Sequence, residues 1–138
     1  MLKSKYLISK RGLVLIELLT VIFILATLVM LLIPNLKWTV FKTQLSGCQQ
    51  NLKNMSTALQ LYANDNEDYY PENLDGLKPH YFHHIPTCPS ASADTYSPGY
   101  DISVDLKVYT LPCKGKNHGV LGLGEDEPYW SMSEGLRP

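Results

Sequence analysis

A run of about twenty apolar residues, from Leu13 to Ile33, dominates the first quarter of this 138-residue chain. Runs of 18 or more apolar residues are typical of a helix that crosses a membrane. Glu17 is the one charged residue within this run. A carboxylate at the centre of a membrane span costs about 2.5–3.5 kcal/mol on insertion scales, so Glu17 is a candidate functional residue.

The residues before the apolar run carry positive charge without any acid. The basic residues of segment 1–12 are Lys3, Lys5, Lys10 and Arg11. Because basic residues accumulate on the cytoplasmic side of a membrane span, we expect the N-terminus in the cytoplasm and residues 35–138 outside it. An ordinary secretory signal has a shorter apolar stretch that ends in an A-x-A-like cleavage site, and no such site follows Ile33. An uncleaved signal anchor is the alternative, but it leaves Gly12 and Glu17 unexplained.

The residues K-R-G followed by L-V-L-I-E-L-L resemble the leader of type IV prepilins and type II secretion pseudopilins. The resemblance implies that prepilin peptidase, a membrane aspartic peptidase, cuts after Gly12 and N-methylates the new first residue, Leu13. Glu17 matches the acidic position of the family, and Pro34 matches a proline that follows the apolar run in many members. Leu13 and Val14 stand where Phe and Thr are usual in the family.

Cleavage after Gly12 supplies a partner for the acid in the apolar run. The freed α-amine has a reference pKa of about 8 and is mostly cationic at neutral pH. In a bundle of such helices, Glu17 of one copy can meet the Leu13 amine of a neighbour. Breaking a buried ion pair costs about 3–5 kcal/mol, so we hypothesise that Glu17 selects the register of subunits during polymerisation.

A second helical pattern follows Pro34. Apolar residues recur there at spacings of three and four, which predicts one buried helix face made of Leu45, Cys48, Leu52, Met55, Leu59 and Tyr62. A proline inside a helix removes one backbone hydrogen bond, so we expect Pro34 to kink the helix rather than end it. The sequence therefore predicts one helix from Leu13 to about Asn64, whose first half lies in lipid and whose second half packs on a globular domain.

The residues after the helix predict a small antiparallel sheet. The helix is expected to stop in the turn-forming segment 64–68. Thr95 to Cys113 alternates apolar and polar residues and predicts a hairpin that turns near 103–105. The pattern therefore predicts the α+β fold class, and the resemblance implies its type IV pilin-like form. Its parts are a leader over residues 1–12, a transmembrane and filament-core helix over 13–34, and an extracytoplasmic domain over 35–138.

The charge of the expected exterior domain argues against nucleic acid as a partner. Residues 65–138 carry twelve acids and five bases, a net charge of −7. Nucleic-acid binding needs clustered lysine or arginine for the phosphates, so we interpret this domain as a solvated acidic surface.

All three cysteines, Cys48, Cys88 and Cys113, lie on the expected exterior side, where disulfides persist. One bridge and one free thiol is the simplest count. We predict a disulfide between Cys88 and Cys113, which flank the sheet region. Pairing of Cys48 with Cys88 is the competing arrangement.

Cofactor and catalytic motifs are missing from the sequence. The histidines of the segment H-x-x-H-H (residues 80–84) and His118 lack the spacing of a structural zinc site, so we predict no metal ligands and no cofactor. The acidic segments 65–68 and 125–127 lack a D-x-D-x-D-G pattern. The resemblance keeps calcium open as an alternative, since some pseudopilins bind it in a C-terminal loop. G-x-S-x-G, H-E-x-x-H and a phosphate-binding loop are also missing, so we expect no enzyme.

The resemblance implies a structural subunit of a type IV pilus or a type II secretion pseudopilus. Its expected partners are other copies of itself or related pilins, prepilin peptidase, an inner-membrane assembly platform and membrane lipid. Its expected location is the cytoplasmic membrane, crossed once, and then the filament. A minor or competence pilin that binds DNA or a surface is the alternative, and a membrane-tethered metal-dependent hydrolase is a third hypothesis.

Overall fold

The structure is a computed structural model that describes residues 10–138, without the side chains of residues 10–12, 34 and 35. Residues 1–9 of the expected leader, and the side chain of Pro34, therefore lie outside the described residues, and the kink at Pro34 stays a prediction. The chain divides into two units, Met1–Trp38 and Thr39–Pro138.

Helix α1 comprises Lys10–Asp65 and confirms the prediction of one long helix. Its last turn is closed where the turn-forming segment begins. The carbonyl of Ala63 accepts hydrogen bonds from the backbone N–H groups of Asn66, at 3.1 Å, and Asp68, at 2.9 Å. The side-chain amide of Asn66 donates to the carbonyl of Tyr62 at 2.7 Å. Carbonyls that the helix leaves without a partner at its end are thus satisfied.

The apolar run forms the described part of the N-terminal unit and is exposed on every side from Leu13 to Ile33. The helix is long and apolar enough to cross a membrane, with a mean hydropathy of 2.8 over its most apolar 18 residues, none of them buried. The core helix of a soluble protein passes the same length test but hides its apolar side chains inside the protein. None of the described buried core residues belongs to this run.

The C-terminal unit has its own core, built on one face of α1. Cys48, Leu52, Met55 and Leu59 have no exposed surface, and Tyr62 is partly buried, as the spacing predicted. Leu45 is half-buried. Residues from the following loops and strands cover this face, including Leu74, Leu77, Tyr96, Tyr109 and Leu111.

A four-stranded antiparallel sheet contains β1 (Asp101–Ile102), β2 (Tyr109–Pro112), β3 (Tyr129–Ser131) and β4 (Gly135–Arg137), in that order. Strands β1 and β2 form the predicted hairpin, with Ile102 opposite Tyr109. The predicted turn is confirmed and extends to residue 108, because the N–H of Ser103 donates to the carbonyl of Val108 at 2.8 Å. The second hairpin, β3–β4, was missed, since its short strands lie in a segment without clear alternation.

Tyrosine side chains connect the sheet and loops to the helix. In β2, Tyr109 and Leu111 point inward and Thr110 outward. The hydroxyl of Tyr109 donates to Oγ of Ser56 on α1 at 3.1 Å, and this pair is buried. The hydroxyl of Tyr100 donates to the carbonyl of Pro71 at 2.9 Å. The first contact joins the sheet to the helix and the second joins two loops, and both pair polar groups that would be costly to leave unpaired.

We predict that Leu59→Ala destabilises the chain by about 2–5 kcal/mol, because it opens a cavity at a fully buried position. Leu61→Ala is the matched control, since Leu61 lies two residues further along the same helix and is 54% exposed. Its effect should stay within about 0.5 kcal/mol. Urea unfolding of the detergent-solubilised full chain measures both values. Equal effects of the two substitutions would contradict the described packing face.

Candidate metal centre

Cys48 places a thiol on the buried face of α1, at the point where a loop comes close to the helix. Its side chain has no exposed surface. The neighbouring Gly47 permits this approach, because a Cβ atom at that position would lie 3.1 Å from Cγ of Pro89. The helix therefore presents Cys48 directly to the segment that contains Cys88.

Cys88 lies in a tight loop that folds back on itself. Its backbone N–H donates to the carbonyl of Ala93 at 2.8 Å, and its carbonyl accepts from the N–H of Ser92 at 2.7 Å. Burial raises the pKa of the Cys88 thiol, and backbone hydrogen bonding from Ala91 and Ser90 lowers it in part. The loop thus fixes the position of the thiol.

Cys113 and His118 approach from the end of the first hairpin. Cys113 directly follows β2, and its N–H donates to the carbonyl of Pro128 at 2.9 Å. His118 immediately precedes a short 3₁₀ helix, Gly119–Leu121, whose last N–H donates to the carbonyl of His118 at 2.9 Å. Four separate segments of the C-terminal unit therefore converge on one buried point.

The ligand atoms of Cys48, Cys88, Cys113 and His118 all lie within 4.8 Å of one another, and all four residues are buried. We call these four residues the Cys-His cluster. Sγ of Cys88 lies 3.5 Å from Sγ of Cys113. Nε2 of His118 lies 3.7 Å from Sγ of Cys88 and 3.8 Å from Sγ of Cys113. Among the described residues, no other set of three or more Cys, His, Asp or Glu side chains converges in this way.

A second layer of polar groups surrounds the sulfur atoms. The hydroxyl of Tyr96 donates to Sγ of Cys48 at 3.3 Å and accepts from the amide of Asn51 at 3.2 Å. Oγ1 of Thr95 lies 3.3 Å from Sγ of Cys113, and the amide of Asn117 donates to the same sulfur at 3.5 Å. Hydrogen bonds of this kind orient and stabilise thiolate ligands in metal sites.

The ring of His118 is held by a serine on the side away from the sulfurs. Oγ of Ser90 lies 3.2 Å from Nδ1 of His118 and donates its own proton to Oε1 of Gln44 at 3.4 Å. In the tautomer that is protonated at Nδ1, the ring donates to Oγ of Ser90. Nε2 then presents its lone pair to the sulfurs of Cys88 and Cys113.

Hydrogen bonding shifts the acidity of the thiols in opposite directions. The pKa of Cys113 is lowered, first because the thiol of Cys48 donates to its sulfur, and further by the donors Thr95 and Asn117. The pKa of Cys48 is raised by donation to Cys113 and by burial. Burial raises the pKa of Cys88 and of the Tyr96 hydroxyl.

The sequence identified Cys88 and Cys113 as neighbours but expected a covalent bond between them. In the structure all three cysteines are free thiols, and the 3.5 Å between Sγ of Cys88 and Sγ of Cys113 exceeds a disulfide bond of about 2.05 Å. The structure does not contain this bond, so the disulfide stays a prediction, and each sulfur here faces the other members of the cluster.

Sequence reasoning missed Cys48 and His118 as parts of one site and predicted no metal ligands. The exposed histidines His80, His83 and His84, which suggested zinc, lie outside the cluster. Cys113 and His118 are separated by four residues, which is a spacing that zinc ligands use. This spacing was the available signal, although the other two ligands are too distant in sequence to reveal the set.

The other predicted site residues lie apart from the cluster. Glu17 is exposed on the N-terminal unit and makes no ion pair with another described residue. Gly12 and Leu13 lie in the first turn of α1. In the acidic segment 125–127, Asp126 and Glu127 accept backbone N–H bonds from Gly115 and Gly124, each at 2.6 Å.

Comparison with protein-family models, with curated proteins and with solved structures gave no match for this chain. Its function therefore has to be argued from its own residues.

We predict that Tyr96→Phe destabilises the chain by about 1–3 kcal/mol, because the buried sulfur of Cys48 loses this donor and the half-buried amide of Asn51 loses one of its two acceptors. Tyr69→Phe is the matched control at an exposed tyrosine and should change stability by less than about 0.5 kcal/mol. The urea midpoint of the full chain in detergent gives both values. A Tyr96→Phe protein as stable as Tyr69→Phe would refute the role of this hydroxyl.

Proposed function

We propose that the chain is a structural subunit of a type IV pilus or a type II secretion pseudopilus. It is made as a precursor, cleaved by prepilin peptidase after Gly12 and N-methylated at Leu13. It is then assembled from the cytoplasmic membrane into a helical filament by an inner-membrane platform. The observation that carries this proposal is the uncovered apolar surface from Leu13 to Ile33 with Glu17 as its one acid.

The apolar surface requires a cover that the described chain does not supply. A helix that is hydrophobic all round is stable only inside lipid or inside a larger apolar assembly. Each leucine or isoleucine that leaves water contributes about 1.5–3 kcal/mol. Lipid covers this surface before assembly, and neighbouring copies cover it in the filament. Such contacts are heterologous and open-ended, which is the symmetry that produces a filament.

Glu17 supplies the specificity that apolar packing lacks. Leucine and isoleucine side chains pack in many registers with similar energies, whereas a buried carboxylate requires a cationic partner. Cleavage after Gly12 creates that partner as the α-amine of Leu13, four positions before Glu17. Neighbouring subunits that bring the two groups together are favoured over those that bury the acid alone.

The acidic exterior agrees with a structural subunit better than with a DNA-binding pilin. The net charge of −7 over residues 65–138 repels phosphates. Some of these acids support the fold locally, as in the ion pair of Asp75 with Lys78 at 2.7 Å. The domain therefore offers a solvated surface around a filament spine.

We predict that the mature wild-type chain begins at methylated Leu13 and that Gly12→Val keeps the leader attached. The leader motif places a glycine next to the cleaved bond. A branched side chain at this position obstructs the peptidase. N-terminal sequencing and intact mass of membrane-extracted protein measure this. Gly119→Val is the matched control, because a Cβ atom at Gly119 meets no atom within 4 Å, and it should be cleaved normally. A wild-type chain recovered with Met1 attached would refute the proposal.

We predict that Glu17→Ala lowers filament yield at least about tenfold, because an unpaired amine is left in the apolar bundle and each 1.4 kcal/mol is a factor of ten. Glu17→Asp retains the charge and should assemble better than Glu17→Ala. The measurement is the fraction of mature subunit in sheared or pelleted filaments from cells that carry the assembly machinery. Leader cleavage of each variant is determined in parallel, so that an assembly defect is not confused with a processing defect. Wild-type yield from Glu17→Ala would contradict the pairing.

A further inference from the structure

We propose that the Cys-His cluster is a structural zinc site, in which the sulfurs of Cys48, Cys88 and Cys113 and Nε2 of His118 bind one Zn²⁺ ion. This inference is independent of the filament proposal, because it concerns only the C-terminal unit. Three thiolates and one imidazole are a ligand set that closed, structural zinc sites use.

The distances between ligand atoms agree with a tetrahedron around zinc. Zinc–sulfur bonds of about 2.3 Å and zinc–nitrogen bonds of about 2.0–2.1 Å place tetrahedral ligands about 3.8 Å apart for two sulfurs and about 3.6 Å for sulfur and nitrogen. The distance between Sγ of Cys88 and Sγ of Cys113 is 3.5 Å, and Nε2 of His118 lies 3.7 and 3.8 Å from these sulfurs. The ligand atom of Cys48 lies within 4.8 Å of the others. A zinc ion therefore fits with only small movements of side chains.

The donors around the sulfurs suit the charge of the filled site. On binding Zn²⁺, three thiols release their protons to solvent, so the zinc with three thiolates and a neutral histidine carries a net charge of −1. Two of the three sulfurs have a donor directed at them or a hydroxyl within reach. Cys48 has the Tyr96 hydroxyl, and Cys113 has Asn117 and Thr95. These groups disperse the negative charge in a buried place.

A disulfide between Cys88 and Cys113 explains less of the geometry. A disulfide would use only two of the four buried side chains. The imidazole of His118, which Ser90 contacts, would then face two sulfurs that are already bonded to each other. The disulfide would also give Cys48 no role beyond packing. The zinc site uses all four residues and the orientation of the histidine.

The zinc ion would join four segments of a small domain with short strands. It connects helix α1, the loop of Cys88, the end of β2 and the turn before the 3₁₀ helix at Gly119–Leu121. Small domains with limited cores commonly gain stability from such metal links. Since four protein ligands fill the tetrahedron, no position is left for a catalytic water. The site stabilises the fold and is not an active site.

The first experiment measures metal content in the full chain, purified in detergent without chelators. Elemental analysis should give about one zinc per wild-type chain. His118→Ala and Cys48→Ser should each lower zinc content at least about tenfold. His84→Ala is the matched control at an exposed histidine outside the cluster and should retain zinc. Both of these variants retain Cys88 and Cys113. A disulfide between those two cysteines could therefore still form in either variant.

The second experiment does not depend on any variant folding correctly. X-ray absorption at the zinc edge of the wild-type chain should show three sulfur neighbours and one nitrogen neighbour. Alkylation of the unfolded, unreduced protein should modify all three cysteines. A zinc shell without sulfur, a chain without metal, or a Cys88–Cys113 disulfide in the purified protein would each overturn the proposal. N-terminal processing is measured in a separate experiment. Failure of the zinc proposal would therefore not count against the filament proposal.

Discussion

Burial of one face of α1 is the constraint on which the rest of the C-terminal unit depends. The strands are two to four residues long, and a sheet of that size is marginal without an apolar surface to cover. The helix supplies this surface through Leu52, Met55 and Leu59. Loops and strands then cover it, with tyrosine hydroxyls satisfying polar groups at the boundary. The Cys-His cluster is the point at which helix, loop and sheet all contribute a side chain.

Helix α1 contributes to both units of the chain, but its apolar side chains are exposed in the first unit and buried on one face in the second. Up to Ile33 the helix is apolar on every side and exposed, so it needs lipid or other copies around it. After Thr39 it is amphipathic and covers its apolar face within its own unit. A membrane-stored filament subunit requires this combination, because one segment must exchange lipid for protein while the other remains folded in water throughout.

The proposed zinc site and the proposed filament role are separate statements that fit one molecule. Assembly concerns Leu13 and Glu17, whereas the cluster concerns residues from Cys48 to His118. A metal link inside the C-terminal unit would keep that unit folded whether the proposed subunit is stored in lipid or packed in a filament. Zinc binding by the cluster would not depend on filament assembly, and assembly through the apolar run would not depend on zinc.

The sequence by itself determined α1, its buried face, its end near Asp65 and the β1–β2 hairpin. These features follow from periodicity and turn residues, which act over a few positions and can be counted along the chain. Only the tertiary structure revealed the β3–β4 hairpin and the meeting of Cys48, Cys88, Cys113 and His118. Their ligand atoms converge although up to 70 residues separate them in sequence, because the packing of loops on the helix sets their distances. Long-range packing of this kind leaves no local pattern, so the positions of Cys88 and Cys113 beside the sheet region favoured a disulfide, whereas the fold brings together four side chains that could bind a metal ion.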